Sequence, residues 1–152
     1  VESGNDRILK LINKGTEKKD VEIVLDNSHQ VGIKNVIYML LGFPTETAQE
    51  LEESCEFLKN NQKNIDLVSS AVFGLQKNTP IYFNPKKFGI KKIIKEERTI
   101  LDPKLSFEEE FLNDTHKIRK KYYQIVQRIN KYPKGMNFFR EHMFFSKPEN
   151  PS

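Results

Sequence analysis

The chain has 152 residues, with 25 Lys and Arg against 21 Asp and Glu and a net charge of +4. That length supports one domain with a sizeable core, and so mixed a charge does not by itself point to nucleic acid. One Cys excludes an intrachain disulfide, fits a reducing cytoplasm and, with only His29, His116 and His142 beside it, leaves too few ligands for a self-contained zinc or iron–sulfur site.

No apolar run approaches a membrane span, and no stretch reads as a signal peptide. Residues 1–4 read as the end of a strand, and with no initiator Met the chain is expected to be a piece of a longer protein. Asn5 and Asp6 cap a short helix over 7–13, carrying Ile8, Leu9, Leu11 and Ile12. Lys14 and Gly15 stop it, a cation and a glycine at the negative end of the dipole. Thr16 is expected to cap a second helix over 17–30, with Val21, Val24, Leu25 and Ser28 on its buried face. Gly32 ends that helix.

The apolar run over 36–41 is bounded by turn residues and predicts a strand buried on both faces. The chain then turns over 42–46 and enters a helix over 48–60. Thr47 and Glu50 form a capping box at its start. Leu51, Cys55 and Leu58 share its apolar face, so Cys55 reads as an inert core thiol. Glu50, Glu52, Glu53 and Glu56 lie mostly elsewhere and crowd the positive end of the dipole. Glu46 reads as a first-turn carboxylate serving helix N–H groups. Residues 65–73 predict the next strand, broken by Gly74. Strands alternating with helices over short linkers argue for a parallel sheet with crossover helices. Ligands in such folds sit outside the carboxyl ends of the strands, which puts 42–46 on a functional rim.

The second half changes character. Residues 79–85 hold Pro80 and Pro85 and read as a loop, and 86–100 as an irregular strand and a turn. Asp102 and Pro103 break the chain. Ser106 and Glu109 form a second capping box that is expected to open the longest helix, about 107–131, with Phe111, Ile118, Tyr122, Ile125 and Ile129 as its stripe. Pro133 and Gly135 stop it, 136–145 is rich in Met and Phe, and the tail is expected to fray. Lys117, Arg119, Lys120 and Lys121 run into Tyr122 and Tyr123, a pattern that suits RNA. A solvated helix face explains the same residues more simply, so nucleic acid is not the expected partner.

Three stretches together resemble the radical S-adenosylmethionine (SAM) enzymes. The first is Val1-Glu2-Ser3-Gly4-Asn5-Asp6-Arg7-Ile8-Leu9, running on to Asn13-Lys14-Gly15-Thr16. The second is Val31-Gly32-Ile33 followed by Leu40-Leu41-Gly42-Phe43-Pro44-Thr45-Glu46-Thr47. The third is Asn78-Thr79-Pro80-Ile81-Tyr82, with Asn78 where the family usually has Gly. Their order and spacing agree with the family over about residues 1–85, and beyond Lys86 the resemblance fades. The subgroup that often carries a cobalamin-binding domain is the nearest. The resemblance implies an α/β fold, a partial (β/α) barrel of about three βα units. These would be the second half of a radical SAM barrel (1–85), followed by a mostly helical C-terminal extension (86–152). It implies SAM and a 4Fe–4S cluster as cofactors of the intact parent. The family's CxxxCxxC cluster loop is absent here, so the partner implied is the missing N-terminal half of the barrel.

Carried onto this sequence, the family's cofactor contacts fall on Glu2 and Ser3 for the ribose and methionine parts and on Lys14 for the carboxylate. Leu41 and Gly42 would meet the adenine, with Phe73 and Gly74 at its edge. Each has a plainer explanation: Glu2 as an acid near a helix start, Lys14 as a helix-end charge, Gly42 as a turn residue. If the chain is part of a larger barrel, the rim near Glu2 and Phe43 is expected to open. Two other readings stand beside this one: a stand-alone α/β interaction module, and an RNA-binding C-terminal helix. The substrate is not legible.

Overall fold

A computed structural model describes residues 1–94, 104–109 and 116–130. Helix α1 (Asp6–Leu11) begins at Asn5, whose side chain accepts from the Ile8 N–H at 3.1 Å. It ends before residue 13 because Asn13 turns to a positive φ of 55° and the Lys14 N–H folds back onto the Leu9 carbonyl. Helix α2 (Lys18–Gln30) is capped by Glu17 rather than Thr16, and the Glu17 N–H donates to the Asp20 carboxylate at 3.3 Å. Of its expected buried face, Leu25 is covered and Val21 packs against the core, but Val24 is 63% exposed. The helix meets the sheet only along the narrow line through Val21 and Leu25, which leaves Ile23 and Val24 outside it.

Strand β1 (Val36–Leu41) pairs in parallel with β2 (Leu67–Val72), in register from Val36 opposite Leu67 to Leu41 opposite Val72. Helix α3 (Ala48–Asn60) makes the crossover, as a parallel neighbour requires. Its capping box is the expected one: Glu50 N–H donates to Thr47 Oγ1 at 3.2 Å, and Thr47 N–H donates to the Glu50 carboxylate at 2.8 Å. Ile37, Met39 and Leu41 are buried against α3 together with Leu51, Cys55 and Leu58. Tyr38, on the alternate face, is 52% exposed. β1 is therefore fully buried on one face only, not both: on the other, Tyr38 is exposed while Leu40 is partly covered beside Ile8, Phe43 and Phe88. Residues 1–4 form no regular strand, yet the Leu40 N–H donates to the Glu2 carbonyl at 2.9 Å, on the edge of β1 away from β2.

After Gly74 the chain forms a second, antiparallel sheet in the order β3 (Leu75–Gln76), β5 (Lys104–Glu109), β4 (Ile90–Ile94). The expected loop over 79–85 contains a helical turn, α4 (Pro80–Phe83), because Thr79 caps it and Pro80 supplies a preset first position. A 3-10 helix (Pro85–Phe88) follows. Ser106 and Glu109 do not open a helix. They lie in β5, with Phe107 opposite Ile93, since pairing to β4 outweighs a local cap pattern. The described part of the extension thus holds two strands beside its helix, and 95–103, 110–115 and 131–152 lie outside the described residues.

Helix α5 (His116–Ile129) lies over α3 and β2. Tyr122, Ile125 and Ile129 are buried as the stripe predicts, and Ile118 packs beside them. Tyr122 Oη and Ser70 Oγ share a hydrogen bond of 2.8 Å. Just past the helix, Asn130 uses its side-chain amide as a strand would: Oδ1 accepts from the Val68 N–H and Nδ2 donates to the Val68 carbonyl, both at 2.7 Å. This satisfies the start of the β2 edge that no further strand covers among the described residues. Parallel strands joined by a crossover helix agree with the expected α/β class, while β1 and β2 themselves form an open pair. Phe111, Pro133, Gly135 and His142 lie outside the described residues, as do 136–145.

Candidate functional site

The carboxyl ends of β1 and β2 carry the expected rim, built on the turn over 42–46. Gly42 and Thr45 both adopt left-handed backbone, at φ 68° and 72°. Glycine does this freely, but a β-branched Thr does so only when its surroundings hold it there. Arg7 on α1 supplies the hold, donating from Nη2 to the Thr45 carbonyl at 2.8 Å and from Nη1 to its hydroxyl at 3.2 Å. Arg7 also grips Glu50 with two nitrogens, Nε to Oε1 and Nη2 to Oε2. Burial works to raise the Glu50 carboxyl, but the bonds from Arg7 and Thr47 outweigh it and hold it below the usual range. The sequence puts Glu50 on the polar side of α3; it is buried because it joins α1, the turn and the helix start.

Glu46 does not serve the first turn of α3. Its Oε2 accepts the Gly42 N–H at 2.8 Å and so closes the turn from within. It is 5% exposed, and burial pushes its carboxyl up to about 7, against the opposing pull of that hydrogen bond and of Arg119. Arg119 reaches this point from α5: a Cβ built on Gly42 would stand 2.5 Å from its Nη2. Glycine at position 42 is thus explained by Arg119 and the turn without an adenine. No pattern in the sequence announced Arg119 as a rim residue, because it lies 77 positions away in another element and its neighbours Lys117 and Lys120 are exposed. Lys121 pairs with Glu52 while Lys117 and Lys120 are exposed, in keeping with a solvated helix face rather than a joint cationic surface.

The other named residues divide. Glu2 and Lys14 form a 2.5 Å ion pair, both partly exposed, where α1 returns towards the β1 edge. Ser3 is buried: its hydroxyl accepts the Asn5 N–H at 3.1 Å and lies 3.3 Å from Ser54 Oγ. Gly4 beside it admits α3 so closely that a Cβ would fall 2.6 Å from Phe57 Cβ. Leu41 is buried, and its carbonyl accepts the Phe73 N–H at 2.8 Å. Phe73 stands edge-on to Phe43 and to Phe107, with Gly74 next in the chain. Phe43 is itself packed shut by Ile8, Phe73 and Phe88. The expected opening at Phe43 is therefore not there; the open surface lies on the Tyr38 face and around Glu2 and Lys14.

Cys55 is buried in the core and its thiol is pushed up to about 11 by burial. It is an inert thiol, as its spacing predicts, and cannot anchor an iron–sulfur cluster. Among the described residues no cluster of His, Cys, Asp and Glu gathers in a metal-binding arrangement, and no helix is long and apolar enough to cross a membrane.

Residues 1–58 match the family model described as Radical SAM superfamily. The ribosomal protein uS12 methylthiotransferase RimO of Clostridium botulinum is 31% identical over 159 residues, which cover 96% of this chain and 34% of that protein. Its namesake from Caldicellulosiruptor saccharolyticus is 28% identical over 148 residues, 95% of this chain and 31% of that protein. An uncharacterised protein of Methanocaldococcus jannaschii is 31% identical over 72 residues, 47% of this chain and 16% of that protein. The chain spans about a third of the length of the methylthiotransferases it matches. These alignments extend past Lys86 over nearly the whole chain, whereas the family model matches residues 1–58 alone.

Proposed function

We propose that this chain, which belongs to the radical SAM superfamily, is the cofactor-facing second half of a barrel whose cluster-bearing half lies in another part of the protein. The observation that carries the reading is the uneven cover of the sheet, with Ile37, Met39 and Leu41 sealed by helices while Tyr38 on the opposite face stays exposed. A free-standing layer has no use for an exposed face that ends in a charged rim, whereas the wall of a barrel does.

The lone buried Cys55 does not fit a 4Fe–4S cluster. SAM fits better. Its methionine end is a zwitterion, and Glu2 and Lys14 are a partly exposed acid and base at the β1 edge. In this reading Glu2 takes the ammonium and ribose hydroxyls and Lys14 the carboxylate. Leu41, Gly42, Phe73 and Gly74 present backbone and ring edges to the adenine. Ser3 fixes the Glu2 segment onto α3 through Ser54. When bound in the intact enzyme, the cofactor supplies a 5′-deoxyadenosyl radical by reductive cleavage; these residues orient it and exclude water. The names of the relatives point to methylthio transfer to a ribosomal protein, and that is the reaction class we favour over cobalamin-dependent chemistry. A reducing, cytoplasmic setting follows from that chemistry.

Anaerobic reconstitution of this chain with iron and sulfide is expected to give no stoichiometric cluster and no 5′-deoxyadenosine. A stoichiometric cluster that cleaves SAM would refute the half-barrel reading. The closure of Phe43 and the sealing of the β2 edge by Asn130 favour a second reading, a self-sufficient α/β interaction module. Sedimentation separates the two: a monodisperse monomer that melts cooperatively supports the module, and self-association through the Tyr38 face supports the half-barrel.

A further inference from the structure

We propose that Arg119 is a positioning residue for the rim, holding the 42–46 turn from α5 so that residues beyond 85 set the shape of the strand end. Its bearing on the cofactor rests on the reading above; its geometry does not. The contact is direct. The side of Gly42 where a Cβ would stand is filled by Arg119 Nη2, at 2.5 Å from the built position. Any side chain there must displace the guanidinium or be displaced by it. Arg119 Nε is buried without a hydrogen-bond partner among the described residues. A buried donor left unbonded is unfavourable, so something else must keep the guanidinium inside.

That something is charge. Glu46, which bonds the Gly42 N–H at 2.8 Å, lies near enough for Arg119 to favour its ionised form. Glu109 on β5, raised by burial, is pulled the other way by the same guanidinium. Among the described charged groups acting on Glu46, Arg119 and Arg7 favour its charge and Glu50 opposes it. Arg119 therefore joins three elements: the turn after β1, the end of β5, and α5.

The backbone of α5 is not free to follow. Tyr122 is tied to Ser70 at 2.8 Å and Asn130 to Val68 at 2.7 Å, so α5 is registered on β2. Arg119 carries that register across to the end of β1. Local sequence cannot do this, because the turn over 42–46 and α5 share no segment.

The test uses the full chain, labelled with nitrogen-15, and follows the Gly42 amide signal as pH is raised. In the wild type the signal titrates with Glu46, with a midpoint of about 7. In Arg119→Met the midpoint rises by roughly one pH unit, because an opposite charge nearby is lost. Arg119→Lys restores most of the wild-type midpoint, and Lys120→Met on the exposed face of α5 leaves it where it was. An Arg119→Met midpoint equal to wild type overturns the proposal. If Arg119→Met fails to fold, Gly42→Ala is compared alone and with Arg119→Ala. The alanine is expected to lower Tm at least about twofold less when Arg119 is gone, and equal losses in both backgrounds overturn the proposal. SAM affinity is measured separately by calorimetry. A chain whose Gly42 midpoint responds to Arg119 but which binds no SAM sinks the cofactor reading and leaves the role of Arg119 standing.

Discussion

The two ends of the β1–β2 pair are built from different chemistry. At the amino end the work is done mostly by neutral amides, with Asp66, paired to Lys34, as the carboxylate among them. Asn35 donates from Nδ2 to the Leu25 and Asn64 carbonyls at 3.0 and 2.7 Å and accepts from Ser28 Oγ at 2.8 Å, and its N–H goes to Asp66 at 2.8 Å. Asn130 adds its paired bonds to Val68. At the carboxyl end the work is done by charges: Arg7 with Glu50, Glu2 with Lys14, and Arg119 facing Glu46. That end also holds Gly42 and Thr45 in left-handed backbone. The amino end is satisfied mainly by amide hydrogen bonds, as suits stability. The carboxyl end keeps strain and a poised carboxylate, which is how sites at strand ends are built.

The contrast can be broken most severely at Asn35. Asn35→Ala removes three side-chain bonds and strands the Asn64 carbonyl, while the Leu25 carbonyl keeps Ser28 Oγ at 3.2 Å. It is expected to cost about 4 kcal/mol in denaturant unfolding. The Gly42 amide should keep its titration; if it changes, the two ends are not independent.

Glu46 tests the other end. Its folded carboxyl lies near 7 against an ordinary 4.5, so its contribution is fullest below 4.5 and is lost as pH rises through 7. Glu46→Gln keeps a hydrogen-bond acceptor for Gly42 without the charge. Above pH 7 it should be more stable than wild type by about 3 kcal/mol, the cost of ionising a carboxyl held near 7 instead of 4.5, and below 4.5 the gap should close. Melts of both proteins across pH check this, and a constant gap would show that Glu46 is not the titrating group.

Asn130→Leu leaves the Val68 N–H and carbonyl without the amide that pairs them. It should cost about 2 kcal/mol and speed hydrogen exchange at Val68. The smallest of these effects belongs to Arg7, whose own side chain is exposed: Arg7→Lys loses the two-pronged grip on Glu50 and should cost about 1 kcal/mol, with Thr45 amide signals moving more than those of the amino end.

Much of this was legible from the order of residues. The apolar run before Gly42, the Thr47–Glu50 box, the Cys55 face and the Tyr122 stripe each encode a local period or cap, and each lies where expected. The ordered motifs around Glu2 and Gly42 fall within the stretch that matches the Radical SAM superfamily, and the one around Thr79 lies beyond it. Failures came where a distant partner decided the outcome. Ser106 to Glu109 carry a helix-start pattern, but β4 claims them as a strand. Glu46 reads as a helix-start acid but closes the turn; Glu50 forms its expected box and is gripped by Arg7 as well, a partner no local pattern names.

By itself, then, the chain's sequence determined most of its described helices and its parallel pair, because propensity, capping and hydrophobic period act over a few residues. The tertiary structure alone decided that β1 leaves Tyr38 exposed on one face, that Asn130 stands in for a strand at the β2 edge, and that Arg119 closes on Gly42. Those outcomes depend on which surfaces meet across tens of residues, and no local preference carries that information.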